Sequence, residues 1–291
     1  MKYIEAYLNY LKVLKKDSTY TITNYRNDLL ELYDFTTELT KITKKTVQEY
    51  LEYLYSKGLK RNSISRKLSS IRSFYQYLQN ENIIKENYFK EISSPKRSQS
   101  LPKYAKDNDL EKIFHCFNKE DPLDQRNSCI LEMLYATGIR VGELVNIKIK
   151  DINFYSHSIK ILGKGSKERI VFYGSYCEDA LNLYIHDGRE QLRKSATDYL
   201  FLNKNGTKLS DRYIRTIIDK VVKKCEIDYH ISPHTLRHTF ATDMLNAGAD
   251  LMTVKELLGH SSINTTGIYT HVSNEQLKKV YEFAHPRSKA K

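Results

Sequence analysis

Apolar residues recur at spacings of three and four along most of this chain. They switch to every second residue in one stretch, IKIKDINFYSHSIKILGKGSKERIVF at 147–172. A period near 3.6 buries one stripe of a helix and a period of two buries one face of a strand, so the pattern predicts a mainly α protein with a small sheet. Within 147–172, Ile147 and Ile149 alternate with lysines, Ile159 and Ile161 follow, and 170–172 closes the run. Around the turn Gly163-Lys164-Gly165-Ser166, this reads as a small antiparallel sheet.

The first ninety residues read as helices. Tyr3, Tyr7, Tyr10, Leu11 and Leu14 form one apolar stripe, and Tyr25, Leu29, Leu32 and Phe35 form the next. Thr43 is placed to cap a third helix through Val47, Tyr50, Leu51 and Leu54, which stops at Gly58. A fourth, at 62–80, sets Ile64, Leu68, Ile71, Tyr75 and Leu78 on one face and Arg66, Ser69, Arg72 and Ser73 on others. Such a basic face either meets phosphates or is simply solvated.

The pattern breaks in ISSPKRSQSLPKY at 92–104, which holds two of the five prolines. The expected organisation is a helical domain over 1–93, a linker over 94–104 and a larger, mostly helical domain over 105–291. In the larger domain helices are expected at 110–117 and 123–136. After the sheet they resume at 176–187, at 211–224 behind the cap Ser210, and at 233–246, where Ser232 and Pro233 suit the N-cap and first helical position. Gly248 ends that helix, and shorter helices follow at 250–258, 262–270 and 274–283.

Charge narrows the class of partner. Lys and Arg number 47 against 35 Asp and Glu, a formal charge of +12. Residues 1–100 contribute +7 of this (18 basic against 11 acidic), and residues 101–291 contribute +5 (29 against 24). Two basic domains are the footprint expected of a nucleic-acid clamp. The amino terminus lacks the unbroken apolar core of a signal peptide, and no stretch approaches the roughly 18 apolar residues of a membrane span, which implies a cytoplasmic protein without a membrane partner. Cys116, Cys129, Cys177 and Cys225 show no CxxC spacing, as expected of reduced thiols.

Three local patterns carry candidate chemistry: TGIRVGEL at 137–144, HTLRHTF at 234–240 and LLGHSSINTTGIYTH at 257–271. In the first, Glu143 lies three residues after Arg140 and can brace its guanidinium, or the two form an ordinary surface pair. In the second, His234 and Arg237 stand one turn apart at a helix start, where an imidazole and a planar donor fork can meet one phosphate. His234 and His238 have zinc-helix spacing, but Thr235 stands where a metalloprotease places Glu, so no metal is expected. In the third, His260 follows Gly259, and Tyr269 lies nine residues on.

Taken together, TGIRVGEL, the GKGSKER turn, HTLRHTFAT, LLGHSS and IYTHV resemble the tyrosine recombinase (phage integrase) family, along the whole chain. The size, the PKRSQSLPKY linker and the ending VYEFAHPR are most similar to the Xer branch, which resolves chromosome dimers. The resemblance implies a SAM-like core-binding domain, a catalytic domain and a carboxy-terminal helix, 274–283, exchanged between neighbours. It implies a catalytic set of Arg140, Lys164, His234, Arg237, His260 and the nucleophile Tyr269, with Glu143 supporting Arg140. Lys167, three residues beyond Lys164, is the competing lysine, and the GKG wording favours Lys164.

The implied reaction cleaves and rejoins duplex DNA through a 3′-phosphotyrosine and needs no cofactor. The implied partners are a DNA recombination site, a homotetramer or a heterotetramer with a paralogous recombinase, and a cell-division translocase. An integrase of a phage or mobile element shares this chemistry, and a decayed, non-catalytic DNA-binding regulator is a third reading. The start of the chain at core-type helices, without an arm-binding domain, favours the Xer reading. Gly267 departs from the family's usual polar residue two positions before the tyrosine. Arg66 and Arg72 are the candidate DNA contacts of the first domain.

Overall fold

A computed structural model describes residues 1–15, 19–92, 104–163, 168–259 and 273–288. The expectations for Lys164, Lys167, His260, Gly267, Tyr269, the helix at 262–270 and most of the linker fall outside those residues. The chain divides into two compact units, Met1–Ser100 and Leu101–Lys291. Among the described residues no helix is long and apolar enough to cross a membrane.

The first unit contains α1 (Lys2–Val13), α2 (Thr19–Phe35), α3 (Lys44–Ser56) and α4 (Arg61–Asn80). Its core joins Ile4, Tyr7 and Leu11 of α1 to Leu29 and Leu32, to Val47, Tyr50 and Leu54, and to Ile64, Leu68, Ile71, Phe74, Tyr75 and Leu78. The expected stripe on α1 is thereby corrected: Ile4 belongs to it, whereas Tyr3 is 37% and Leu14 73% exposed. Positions 4, 7 and 11 share one face of the helix, position 3 falls to its side, and Leu14 lies just past the last residue of α1. Two of its tyrosines bring their hydroxyls to partners: Tyr7 donates to Ser73 Oγ at 2.7 Å and Tyr75 donates to the Leu39 carbonyl at 2.8 Å. The Thr43 side chain accepts from the Thr46 N–H and caps α3, and Gly58 takes a left-handed φ of +68° beyond it.

The second unit is built on α6 (Pro122–Thr137), in which every residue from Cys129 to Thr137 is buried. A helix that is apolar on all sides needs neighbours on all sides. Those around it include α5 (Asp107–His115), α8 (Ser175–Leu183), α9 (Arg189–Leu192), α10 (Asp211–Lys224) and α11 (Pro233–Asn246). A π-helical turn, Tyr184–Gly188, joins α8 to α9. The sheet has β1 (Ile152–Asn153), β2 (Ser158–Leu162) and β3 (Glu168–Phe172), antiparallel in that order, with Ile159 opposite Val171 and Ile161 opposite Arg169.

The strand expected at 147–149 is not part of this sheet. Lys148 forms a lone bridge with Tyr199, and the Leu200 N–H donates to the Ile147 carbonyl at 2.9 Å. The Asp151 carboxylate then accepts from the Lys148 N–H at 2.8 Å and winds 149–151 into a 3₁₀ turn. The alternation was that of an extended segment, but its partner lies fifty residues away.

Beyond α12 (Leu251–Leu258), α13 (Asn274–Ala284) lays Leu277, Tyr281 and Ala284 against Phe172, Phe240, Met244 and Leu257 of its own chain. The following residues extend the contact. His285 is 2% exposed and stacks on Tyr281 at 5.1 Å. Arg287 forms an ion pair with the buried Glu132 of α6, Nε to Oε2 at 2.9 Å, while its guanidinium lies 4.3 Å from the Phe114 ring centre and 4.0 Å from that of Tyr176. Gly174 is required beneath this tail, because a Cβ there would come within 2.2 Å of the Arg287 carbonyl oxygen.

Burial, reinforced by the Arg287 charge, lowers His285 from its ordinary value of 6.5 to about 3. The unfolded chain therefore takes up this proton first. The contribution of neutral His285 is complete above pH 6.5 and is lost as pH falls from 6.5 toward 3, at up to about 1.4 kcal/mol per pH unit. Melting temperature measured from pH 7 to pH 5 should fall more steeply for the wild type than for His285→Phe. Parallel curves would show that His285 carries no such linkage.

Candidate active site

Two helix ends create the site. α6 ends at Gly138 with φ +59°, and α12 ends at Gly259 with φ +65°. A helix carboxy terminus leaves carbonyls without intrahelical donors and carries partial negative charge, which cations offset. Here arginines supply the donors. Arg237 of α11 gives Nη1 to the Gly138 carbonyl and Nη2 to that of Leu258 at 2.7 Å. Arg140 Nη2 reaches the Gly259 carbonyl at 3.3 Å, and Arg169 Nε reaches that of Leu257 at 3.3 Å.

The local sequence explains how each group gets there. Gly138 turns the chain out of α6, and Arg140 becomes the N-cap of α7 (Val141–Leu144). Glu143, three residues on, closes that short turn by accepting the Arg140 N–H at 2.8 Å and Arg140 Nη1 at 3.1 Å. Ser232 caps α11 and Pro233 opens it, as the sequence predicts, and the Thr235 hydroxyl accepts the Ser232 N–H in return. His234 is exposed at the second position of α11, whereas Arg237, one turn on, is 7% exposed and turned toward the two helix ends.

Arg169 was missed in the sequence reading. It lies opposite Ile161 and in phase with Val171, both buried, and so points to the inner face of the sheet. Its Nη1 and Nη2 donate to Glu143 Oε1 and Oε2, each at 2.9 Å. The available signal was an arginine at an inward position of a period-two run.

The result is three guanidiniums around one carboxylate. Burial alone would raise the Glu143 carboxyl. The Arg169 fork, the Arg140 N–H and both positive charges outweigh it and hold the group below its ordinary value. Arg237 shows the complementary effect, lowered to about 10 by burial first and then by the Arg140 and Arg169 charges, with Glu143 opposing. The guanidinium stays a cation at neutral pH. The cluster has a local positive excess that a bound anion would relieve, and 40% of the Arg140 side chain is open to receive one.

In the first unit, the two arginines expected at DNA are engaged within the domain. Arg66 makes a two-point pair with the buried Asp28, at 2.6 and 2.8 Å, with half of its side chain exposed. Arg72 donates Nε to the Phe89 carbonyl at 2.8 Å and Nη2 to that of Ile92 at 2.5 Å.

Comparison with known proteins agrees with this architecture. Residues 103–276 match the phage integrase family, and residues 4–82 match the phage integrase N-terminal SAM-like domain. The chain belongs to the phage integrase family of tyrosine recombinases. It is 43% identical to the tyrosine recombinase XerC of Oceanobacillus iheyensis, over 98% of this chain and 96% of that protein. It is 44% identical to the tyrosine recombinase XerC of Staphylococcus aureus, over 98% and 97%. Among solved structures, it is similar to the XerH site-specific recombinase bound to a palindromic difH substrate in a post-cleavage complex. There the TM-score is 0.72 with 26% identity, over 92% of this chain and 81% of that one. The chain is a site-specific DNA recombinase of the Xer type.

Glu143→Gln tests the electrostatic core of the site. An amide offers one acceptor oxygen to the N–H groups that two carboxylate oxygens now satisfy, and it leaves three positive charges uncompensated. The expected loss is about 2–3 kcal/mol at pH 7, measured by urea unfolding. Because the folded carboxyl titrates below its ordinary 4.5, its contribution is present above that value and is lost as pH falls through the folded pKa. The gap between wild type and variant should therefore narrow below about pH 4. A gap independent of pH would mean that shape alone, without charge, explains the loss.

Proposed function

We propose that this recombinase cleaves and rejoins duplex DNA through Tyr269 and resolves chromosome dimers. The observation that carries the reading is the Arg140–Glu143–Arg237 cluster at the end of α12. The chain continues from there into His260 and Tyr269. Arg140 and Arg237 bind the two non-bridging oxygens of the scissile phosphate and stabilise the charge that grows on them in the pentacoordinate transition state.

The Tyr269 phenol oxygen attacks phosphorus, and the bond to the 5′-oxygen breaks. His234 assists removal of the phenolic proton, and Lys164 protonates the departing 5′-oxygen. His260 donates a hydrogen bond to the phosphate. One phosphodiester is exchanged for another, so a 5′-hydroxyl from a partner strand can reverse the attack without ATP, and the reaction as written needs no metal.

The partners in this reading are a duplex recombination site and further recombinase subunits, of this chain or of a paralogue, assembled as a tetramer. A cell-division DNA translocase is the proposed activator, and the cytoplasm is the proposed compartment. The apolar face of α13 now seated on its own chain is the face that exchange between neighbours would transfer. For the first domain, the half-exposed Arg66 is the better placed of the two arginines to meet a phosphate, since Arg72 directs donors to main-chain carbonyls.

Covalent trapping in the native cell, followed by sequencing of the attached DNA, tests the proposal. The expected result is one site near the replication terminus, absent with Tyr269→Phe. Sites at the borders of a mobile element would retain the chemistry and reassign the biology to integration. DNA equally attached in both proteins, or in neither, would overturn the assignment of Tyr269.

A further inference from the structure

The chemistry above gives Arg169 no role, yet its side chain joins two of the elements that carry that chemistry. An arginine on the inner face of a strand, 15% exposed, is costly to bury unless its donors are met. They are met by the two Glu143 oxygens on α7 and by the Leu257 carbonyl near the end of α12. The guanidinium also crosses Gly259 so closely that a Cβ there would stand 2.8 Å from it. Along the chain, Arg169 comes two residues after 164–167, the segment that contains Lys164, and Gly259 immediately precedes His260.

We propose that Arg169 is a positioning residue for strand cleavage: a planar bridge that fixes Glu143, and through it Arg140, at a set distance from the end of α12. The inference rests on the tyrosine recombinase reading of Arg140. The contacts support a division of labour. Arg140 holds Glu143 through one side-chain bond, Nη1 at 3.1 Å, and the Gly259 carbonyl through Nη2 at 3.3 Å, and with 40% of its side chain open it can turn to a phosphate. Arg169 holds Glu143 by two bonds of 2.9 Å and the Leu257 carbonyl by one of 3.3 Å, with little of its side chain exposed to a ligand. When Arg140 turns to the phosphate, Glu143 therefore stays in place, still accepting the Arg140 N–H. Lysine keeps the charge of Arg169 but lacks the fork that spans both oxygens and a carbonyl at once.

The test uses full-length wild type, Arg169→Lys, Arg140→Ala and Tyr269→Phe on a nicked duplex that carries the trapped site and prevents religation. A second duplex replaces the scissile phosphate with a methylphosphonate, a mixture of both diastereomers. Methyl in place of a charged oxygen lowers the demand for a well-aimed guanidinium. Arg169→Lys should bind DNA within about twofold of wild type and cleave the phosphodiester about 10- to 100-fold more slowly. Its methylphosphonate-to-phosphodiester rate ratio should rise above that of wild type, in the direction of Arg140→Ala.

That ratio, taken within one preparation, cancels the fraction of folded enzyme. Wild-type cleavage by Arg169→Lys, or slower cleavage with an unchanged ratio, would overturn the positioning role. Failure of wild type to cleave, or cleavage by Tyr269→Phe, would instead overturn the recombinase reading of Tyr269.

Discussion

The site depends on unsatisfied carbonyls at the ends of two helices. α6 and α12 both stop at left-handed glycines, which leaves their terminal carbonyls without intrahelical donors. Three arginines supply the missing donors, and one glutamate keeps those arginines from repelling each other apart. The same donors that complete the fold are those a phosphate diester needs. In the proposed reaction, structural and catalytic demands fall on one set of side chains, and a bound phosphate would relieve a positive excess that the fold itself creates.

The carboxy-terminal tail is secured by a different principle. α13 is held by apolar packing, and the residues after it by a buried ion pair between Arg287 and Glu132, with two aromatic rings flanking the guanidinium. Such a pair is costly to break because one buried charge is left alone. Burial raises the Glu132 carboxyl even against the pull of Arg287, so the anchor resists desolvation only while both partners are present. In a protein whose proposed cycle passes this helix to a neighbour, the anchor sets the cost of release.

Much of the fold was legible because helices and their caps are local. The stripe on α4, the caps Thr43, Ser210 and Ser232, the glycine after α11 and the β2–β3 pair all follow from residues within a few positions of one another. What was not legible was either remote in sequence or at the margin of a helix. Ile147 was assigned to the wrong ladder because its partner, Leu200, is remote in sequence. Tyr3 borders the buried stripe of α1 and Leu14 lies past the helix end, and a tyrosine is equally at home at the margin and in the core. The pairing of Arg66 with Asp28 is hidden from the sequence for the same reason, since Asp28 lies 38 residues earlier.

The sequence by itself determined the class of this protein and supplied the roster of its proposed chemistry: a basic, mainly helical chain with arginines, histidines and a tyrosine in family order. Spacing and wording suffice for that, since each motif is a local turn or cap. Tertiary structure alone decided what the arginines are doing before DNA arrives. Arg140, Arg169 and Arg237 come from a loop after α6, a strand and a helix, and only packing brings them to one helix end. Hydrogen bonding there depends on distances that no local pattern encodes, which is why Arg169 emerged from the fold and not from the sequence.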